Sequence, residues 1–187
     1  ILMKKHISVM TPCYNEEGSL KPLLHRLLPV CQKSFGDAFE VILIDDGSRD
    51  ATWQEIVQHA DTIAQVAGVK LSRNSGHQRA LSAGLEQASG DFIFILDADL
   101  QDPPELLPEM LQLVRDGNDV VFGQRRSRAG ETWFKKKTAS WFYRTLNYFS
   151  DVPIPQDVGD FRLMTRRVLE HLTAMPESHR FVRGMVS

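Results

Sequence analysis

Cysteine is scarce in this sequence, and its scarcity argues against a disulfide-rich fold. Cys13 and Cys31 are the only cysteines among the 187 residues, and no histidine spacing typical of a zinc site accompanies them. A small secreted scaffold held together by disulfides is therefore excluded. We expect both thiols to stay reduced, as in cytosolic proteins.

Long apolar runs and a large net charge are also missing. No apolar run approaches the roughly 18 residues that a membrane-spanning helix needs, and the charged start, with Lys4 and Lys5, is unlike a secretory signal peptide. The net charge is only −2, with 42% apolar and 25% charged residues, so general binding of polyanions is not indicated. With no repeat or linker, the composition predicts one globular domain over residues 1–187.

The sequence does contain a regular alternation of apolar runs and amphipathic stretches. The apolar runs predict strands over residues 6–10, 39–44, 69–71, 91–96 and 120–122. The amphipathic stretches predict helices over residues 17–33, from a cap at Ser48 or Asp50 to about 63, 78–88 and 104–115. Because the strands are continuously apolar, the pattern favours a mostly parallel sheet with helices on both faces. In such sheets, ligands bind beyond the carboxyl ends of the strands.

Acidic side chains are concentrated after the fourth predicted strand, in the sequence FILDADLQDPPE. In an extended chain Asp97 and Asp99 would point to the same side, where their charges repel and favour a cation. With the amide of Gln101 nearby, these ligands suit Mg²⁺ or Mn²⁺. The alternative is an Asp-rich turn that caps the helix beginning at Pro104, a role that suits Asp102.

Other strand ends add polar groups at the same edge of the predicted sheet. In DDGS, Asp46 or its neighbour Asp45 can accept hydrogen bonds from a ribose hydroxyl or a base, although a turn with a helix cap is an equal alternative. After the first strand, Tyr14 can stack on a base and Glu16 can meet a polar edge. The alternative for these two residues is a simple helix start.

Basic and aromatic residues dominate the chain after position 124. Residues 125–144 include seven Lys or Arg and one Glu, a net charge of +6. Residues 131–149 predict one helix with aromatic and cationic sectors, which suits a membrane interface. The alternative is a core-facing aromatic side with solvated lysines. The acidic strand ends argue against nucleic acid as the partner. A strand-like FRLM and a short helix over residues 166–173 follow.

The motifs TPCYNEE, VILIDDGSRD, LSRNSGHQRAL and FILDADLQDPPE, in this order, resemble the family-2 inverting glycosyltransferases. The resemblance covers nearly the whole chain and implies the GT-A nucleotide-diphospho-sugar transferase fold, an α/β fold with a Rossmann-like sheet. The later motifs VVFGQRRSR, VGDFRLMTRRV and HRFVRGMVS resemble one branch of that family. Members of this branch transfer a sugar from a nucleotide to a polyprenyl phosphate such as undecaprenyl or dolichyl phosphate.

The resemblance also implies roles for particular residues. Those expected to bind the nucleotide are Pro12, Tyr14, Glu16, Asp46, Asp97, Ala98, Asp99 and Arg183. Those expected to surround the Mg²⁺ or Mn²⁺ ion are Asp97, Asp99 and Gln101. Those expected to meet the acceptor phosphate are Arg125, Lys136 and Ser140. Asp99 and Asp160 are the expected catalytic residues, with Asp160 as a carboxylate that orients the acceptor first and acts as a base second.

Three functions are kept open at this point. The first is transfer of a hexose from a UDP-glucose-like donor, with GDP-mannose as the alternative, to a polyprenyl phosphate for cell-envelope glycan modification. The second is transfer to a hydroxyl of a glycan or protein, for which Asp160 must act as a true base. The third is a non-catalytic nucleotide-binding module. For the first function we expect the cytoplasmic face of the cell membrane, a longer parent chain with a membrane region, and a homo-oligomer as an open alternative.

Overall fold

The structure, a computed structural model, describes residues 6–124 and 158–174. Four residues with predicted roles lie outside the described residues: Arg125, Lys136, Ser140 and Arg183. The predicted basic, aromatic helix over residues 131–149 also lies outside them, so its role and theirs stay predictions.

A six-stranded sheet forms the centre of the molecule, in the order β3-β2-β1-β4-β6-β5. The strands are β1 (Ile7–Cys13), β2 (Phe39–Asp45), β3 (Val66–Lys70), β4 (Phe92–Ile95), β5 (Val120–Gln124) and β6 (Val158–Thr165). The pairs β3-β2, β2-β1 and β1-β4 are parallel. All seven residues of β1 are buried, as its continuous apolar run predicted for a central strand.

Strand β1 continues through Pro12, although the sequence predicted its end at Met10. The carbonyl of Met10 accepts a hydrogen bond from Leu96 N, and the carbonyl of Cys13 accepts one from Asp46 N. Because alternate residues of a strand face the same neighbour, Pro12 faces the side of β4, beyond the residue at which that pairing ends. The proline therefore removes no ladder hydrogen bond, and the strand extends along β2 to the edge where ligands bind.

Strand β6 makes the sheet mixed rather than wholly parallel. It lies between β4 and β5 and runs antiparallel to both. The sequence predicted only a strand-like FRLM here, without a place in the sheet. The last pair of the β4-β6 ladder is Ile95 with Arg162, and Asp97 and Asp160 each lie two residues beyond it, both within 4 Å of His77 Nε2. An element far along the chain thus delivers a carboxylate to the end of β4.

Helices cover both faces of the sheet, as predicted. The helices are α1 (Leu20–Phe35), α2 (Thr52–Thr62), α3 (His77–Leu85), α4 (Leu107–Arg115), which follows a 3₁₀ turn (Pro104–Leu106), and α5 (Arg166–Ala174). The apolar sides of α1, α2 and α4 pack in one core, and those of α3 and α5 pack in a second core on the opposite face. Within the described residues, no helix is long and apolar enough to cross a membrane.

Candidate active site

A cavity of about 310 Å³ lies at the carboxyl ends of β1, β2 and β4. Its lining residues come from the end of β1, from the loops that follow β1, β2, β3 and β4, and from the start of α3: Pro12, Cys13, Tyr14, Glu16, Asp46, Asn74, Gly76, His77, Ala80, Asp97, Ala98 and Asp99. The structure thus gathers the predicted polar strand ends at one edge. Gln101, the third predicted metal ligand, is not among the lining residues.

One side of this cavity, which we call the Asp46 corner, consists of Asp46 and the backbone of Ser75 and Gly76. Asp46 Oδ1 accepts a hydrogen bond from Ser75 N at 2.7 Å, and Oδ2 accepts one from Gly76 N at 2.9 Å. Asp46 is only 3% exposed, so its charge is held by two fixed backbone donors. A carboxylate oxygen has a second lone pair, so Asp46 keeps capacity to accept from a ligand.

The Asp46 corner depends on close packing between two loops. Gly47 has a φ of +70°, and a Cβ atom there would lie 2.5 Å from the backbone of Arg73 and Asn74. Only glycine therefore allows the turn after β2 to lie against the loop before α3. Asp45 closes the same turn, because its Oδ1 accepts a hydrogen bond from Ser48 N at 3.1 Å.

The loop after β1 is tied to the same turn by its backbone. Asn15 N donates to Ser48 Oγ at 3.0 Å, and Glu16 N donates to Thr52 Oγ1 at 2.8 Å. These bonds leave Tyr14, which is 41% exposed, at the rim of the cavity. An exposed aromatic ring at this position can stack on a flat ligand group such as a base.

The other side of the cavity, which we call the carboxylate cluster, consists of Asp97, His77, Asp160 and Arg162. His77 Nε2 lies 3.0 Å from Asp160 Oδ2 and 3.8 Å from Asp97 Oδ1. Arg162 Nη2 lies 2.5 Å from Asp160 Oδ1. The four side chains therefore form a line that runs from the interior of the sheet to the cavity.

Asp160 is held at both of its carboxylate oxygens. It is 4% exposed, and its Oδ2 accepts a further hydrogen bond from Gln78 Nε2 at 3.2 Å. Arg162 is fully buried, and its guanidinium lies 5.6 Å from the centre of the Phe122 ring. Such a pair is fixed in one geometry, because either charge alone would be buried without compensation.

Sequence reasoning missed the parts that His77 and Arg162 play here. His77 lies in the motif SGHQR, which by itself is weak evidence for a functional role. Arg162 follows Asp160 by two residues in a strand, which places both side chains on one face of the sheet. A charged pair at this spacing within an apolar strand was the available signal.

The loop after β4 turns sharply instead of continuing as extended chain. Asp97 N donates to Asp102 Oδ2 at 3.2 Å, and Gln101 N donates to Asp99 Oδ1 at 3.0 Å. Leu100 has a φ of 63°, which is strained for a side chain of its size. The 3₁₀ turn at Pro104 has no side-chain cap, so Asp102 closes the loop rather than capping that turn. Asp97 and Asp99 still both border the cavity.

The residues present fit a divalent cation at this loop. Asp97 Oδ1 is buried and accepts no hydrogen bond from the described residues. Burial raises the pKa of Asp97 to about 6; the imidazole of His77 opposes this rise, and nearby carboxylates add to it. Across residues 6–124 and 158–174, no three His, Cys, Asp or Glu side chains are placed to hold a metal on their own. The arrangement suits Mg²⁺ or Mn²⁺ held by one or two carboxylates and substrate phosphates.

The fold is shared with two solved proteins. The mannosyltransferase PcManGT from Pyrobaculum calidifontis, in complex with GDP-Man and Mn²⁺, matches with a TM-score of 0.65 and 22% identity over 94% of this chain and 48% of that one. Glucosyl-3-phosphoglycerate synthase from Mycobacterium tuberculosis, in complex with Mn²⁺, UDP and phosphoglyceric acid, matches with a TM-score of 0.66 and 20% identity over 97% and 61%. The fold class is therefore GT-A, as predicted.

Sequence similarity defines the family within this class. The profile described as Glycosyl transferase family 2 matches residues 8–173, and this chain belongs to that family. It is 42% identical over 183 residues to an uncharacterized glycosyltransferase of Synechocystis sp., covering 98% of this chain and 57% of the relative. It is 38% identical over 181 residues to a prophage bactoprenol glucosyl transferase homolog of Escherichia coli, covering 97% and 59%. The chain thus spans less than two thirds of the length of these relatives.

Proposed function

We propose that this protein is the catalytic domain of a metal-dependent inverting glycosyltransferase that moves a hexose from a nucleotide sugar to a polyprenyl phosphate. Relatives named bactoprenol glucosyl transferase support this acceptor. Structural neighbours solved with Mn²⁺ and GDP-Man or UDP support the nucleotide-sugar donor. The product would serve cell-envelope glycan modification at the cytoplasmic face of the membrane.

The donor would lie across the cavity from the Asp46 corner to Asp97 and Asp99. In this proposal Pro12, Tyr14, Glu16 and Asp46 border the nucleoside, and Asp46 accepts hydrogen bonds from it. Asp97 and Asp99 face the diphosphate and hold the Mg²⁺ or Mn²⁺ ion, with Ala98 between them. When bound, the ion supplies positive charge that stabilises the departing nucleoside diphosphate.

The hydrogen bonding of Asp160 is the observation that carries the choice of acceptor. Its Oδ2 accepts a hydrogen bond from Gln78 and lies 3.0 Å from His77 Nε2, and its Oδ1 accepts one from Arg162, so both oxygens are engaged before an acceptor binds. A phosphate acceptor is anionic at neutral pH and needs no base, whereas a hydroxyl acceptor does. Asp160 therefore suits an orienting role beside an anionic acceptor.

Positive groups complete the proposal on the acceptor side. We assign Arg125, Lys136 and Ser140 to the lipid phosphate and Arg183 to the donor diphosphate. The basic, aromatic segment over residues 131–149 would lie at the membrane surface, where each cation near an anionic leaflet adds about 1 kcal/mol. The proposed donor is UDP-glucose or a related UDP-hexose, with GDP-mannose as the alternative, and assembly as a homo-oligomer is part of the test.

The test is a transfer assay with Mn²⁺, radiolabelled nucleotide sugars and polyprenyl phosphate in detergent. We expect labelled lipid from the wild-type protein, and a loss of at least about 100-fold in Asp99→Asn, because the ion stabilises the leaving group by several kcal/mol. Asp116→Asn is the matched control, since Asp116 lies exposed at the end of α4. Unchanged turnover in Asp99→Asn, or in the presence of a chelator, would reject the metal assignment.

Two other outcomes would replace this function. Transfer to a hydroxyl acceptor but not to polyprenyl phosphate would indicate the glycan- or protein-modifying alternative. Binding of UDP in calorimetry without hydrolysis or transfer to any acceptor would indicate a nucleotide-binding module. Size-exclusion chromatography with light scattering on the same samples reports the oligomeric state.

A further inference from the structure

The position of His77 is set from two directions. Helix α3 begins at His77, directly after Gly76, which has a φ of +94°. The N–H groups of Ser75 and Gly76 are both held by Asp46. The Asp46 corner therefore fixes the backbone that carries the imidazole, independently of the contacts that the ring makes.

The imidazole lies between two carboxylates that would otherwise face each other. The antiparallel ladder of β4 and β6 ends at Ile95 and Arg162, and Asp97 and Asp160 each lie two residues beyond that last pair, at the same edge of the sheet. Two carboxylates that lie this close together repel each other when both are charged. His77 Nε2 lies within 4 Å of both carboxylates and is nearer to Asp160, at 3.0 Å.

Burial does not account for a histidine at this position. The His77 side chain is 39% exposed and lines the cavity, whereas Asp160 is 4% exposed. The next residue, Gln78, donates to the same oxygen of Asp160. The first turn of α3 thus holds Oδ2, and Arg162 holds Oδ1 from inside the sheet. The contact needs only an N–H on Nε2, which a neutral imidazole supplies.

We propose that His77 is a positioning residue that sets the orientation of Asp160, and through it the placement of the acceptor, while separating Asp160 from the metal-facing Asp97. This inference rests on the proposed transfer function and adds a residue to it. His77 acts through Asp160 and not by binding the donor. Its loss should lower the rate of transfer and leave donor binding unchanged.

The first experiment compares His77→Leu with His77→Gln in the transfer assay. The glutamine amide carries an N–H at about the position of Nε2, whereas leucine carries none. We expect kcat to fall about 100-fold in His77→Leu, the effect of misplacing a reacting group by about 1 Å. We expect His77→Gln to recover most of that loss, and the KM for the donor to stay within about threefold in both.

His25→Leu is the matched control, because His25 is exposed on α1, and this helix packs on the face of the sheet opposite to α3. A kcat for His77→Leu within about threefold of the wild-type value would overturn the proposal. A rise in donor KM at constant kcat would also overturn it, because it would make His77 a donor-binding residue. If His77→Leu does not fold, His77→Gln and His77→Asn are compared instead. A kcat near the wild-type value in His77→Gln with a large loss in His77→Asn would support the same geometry. Equal kcat values in these two variants would contradict it.

A double variant tests whether His77 works through Asp160. If it does, Asp160→Asn combined with His77→Leu will be about as slow as Asp160→Asn alone, because the two residues share one effect. Losses that multiply would show an independent role and overturn the proposal.

A spectroscopic measurement separates this inference from the proposed function. In ¹⁵N-labelled protein, the Nε2 proton of His77 should resonate downfield and move upfield in Asp160→Asn, because a neutral acceptor makes a weaker hydrogen bond. If this shift occurs in a protein that transfers no sugar, the function fails and the contact stands. If transfer occurs and Asp160→Asn leaves the proton resonance unmoved, the inference fails and the function stands.

Discussion

The Asp46 corner and the carboxylate cluster lie at the same edge of the sheet, but they hold negative charge by different means. In the corner, a single carboxylate meets two backbone N–H groups. In the cluster, Asp160 is held by side chains, while Asp97 keeps one buried oxygen without a hydrogen bond from the described residues. Both oxygens of the carboxylate in the corner have a hydrogen-bond partner, whereas the cluster keeps a carboxylate oxygen without one among the described residues.

This difference has a physical reason. Backbone donors carry no net charge and cannot move far, so they suit a site whose form must stay constant, such as the proposed nucleoside site. Side-chain carboxylates that repel one another form a site whose balance changes when a cation enters. The two sides of one cavity can therefore serve recognition and chemistry separately.

Removing the buried cation of the cluster should have the largest effect on stability. Arg162→Met leaves Asp160 buried without its guanidinium partner, and we expect the free energy of unfolding to fall by about 3–5 kcal/mol. Urea denaturation followed by circular dichroism measures this. Arg167→Met is the control, because Arg167 pairs with Asp119 at the surface and should contribute at most about 1 kcal/mol. Equal losses of unfolding free energy in the two variants would show that burial does not make the Arg162–Asp160 pair more costly to break than a surface pair.

The close loop packing of the Asp46 corner gives the next largest effect. Gly47→Ala adds a Cβ into the backbone of Arg73 and Asn74 at a positive φ, so we expect a loss of about 2–4 kcal/mol in the free energy of unfolding. Gly36→Ala is the control, since Gly36 has a φ of +57° with no atom within 4 Å of the added carbon. It should lose only the cost of the unfavourable backbone conformation, about 1–3 kcal/mol, without the added cost of a clash. If both variants lose the same free energy of unfolding, the close contact between the two loops does not contribute to stability.

Replacing the carboxylate of the corner should have a moderate effect. Asp46→Asn turns one acceptor oxygen into an NH₂ group that faces a backbone N–H, which leaves a buried donor unsatisfied. We expect a loss of about 1–3 kcal/mol in the free energy of unfolding and weaker binding of UDP in calorimetry. If Asp46→Asn bound UDP as tightly as the wild-type protein, the contrast between the Asp46 corner as the nucleoside site and the carboxylate cluster would be contradicted.

Removing the raised carboxylate of the cluster should have the smallest effect and the opposite sign. The pKa of Asp97 is raised to about 6 in the folded protein, so its contribution to stability is present at low pH and is lost as the pH rises through about 6. In metal-free buffer, the gain in stability of Asp97→Asn over the wild-type protein should therefore be larger at pH 8, about two units above that pKa, than at pH 5, about one unit below it. Thermal unfolding at both pH values checks the sign.

Manganese should reverse the order of stability of Asp97→Asn and the wild-type protein at high pH. A carboxylate must be deprotonated to bind a metal, so Mn²⁺ should raise the Tm of the wild-type protein at pH 8 more than at pH 5, and should leave Asp97→Asn unchanged. Asp116→Asn serves as the control and should respond like the wild-type protein. A Tm increase in Asp97→Asn equal to that of the wild-type protein would show that the ion binds elsewhere.

The part of the fold that depends on local patterns was predictable. The leucines of α1 at helical spacing are buried, including Leu20, Leu23 and Leu27, and the apolar runs form the parallel strands β1, β2 and β4. The GT-A fold and the family were also predicted correctly from the ordered motifs. The extension of β1 through Pro12 was not, because the tolerance of a proline depends on where the neighbouring strand ends.

The candidate site divides in the same way. Placing Asp46, Asp97 and Asp99 at one edge follows from the rule that parallel strands end together, which needs no knowledge of side-chain contacts. The roles assigned to them, and to the residues outside the described part of the chain, stay predictions. The contacts of His77 and Arg162 with Asp160 could not be read from spacing, since β6 enters the sheet antiparallel from far along the chain.

The sequence by itself determined the succession of strands and helices along the chain, the apolar faces that bury the sheet, and the carboxylates that lie at its edge. These follow from short-range periodicity and from chain direction, which any segment carries within itself. Only the tertiary structure decided that Asp160 lies near Asp97, with His77 within 4 Å of both carboxylates and Arg162 paired with Asp160 inside the sheet. The reason is that strand register and insertion are fixed by packing between segments that are distant in the chain: Gln78 and Asp160, for example, are bonded across a separation of 82 residues.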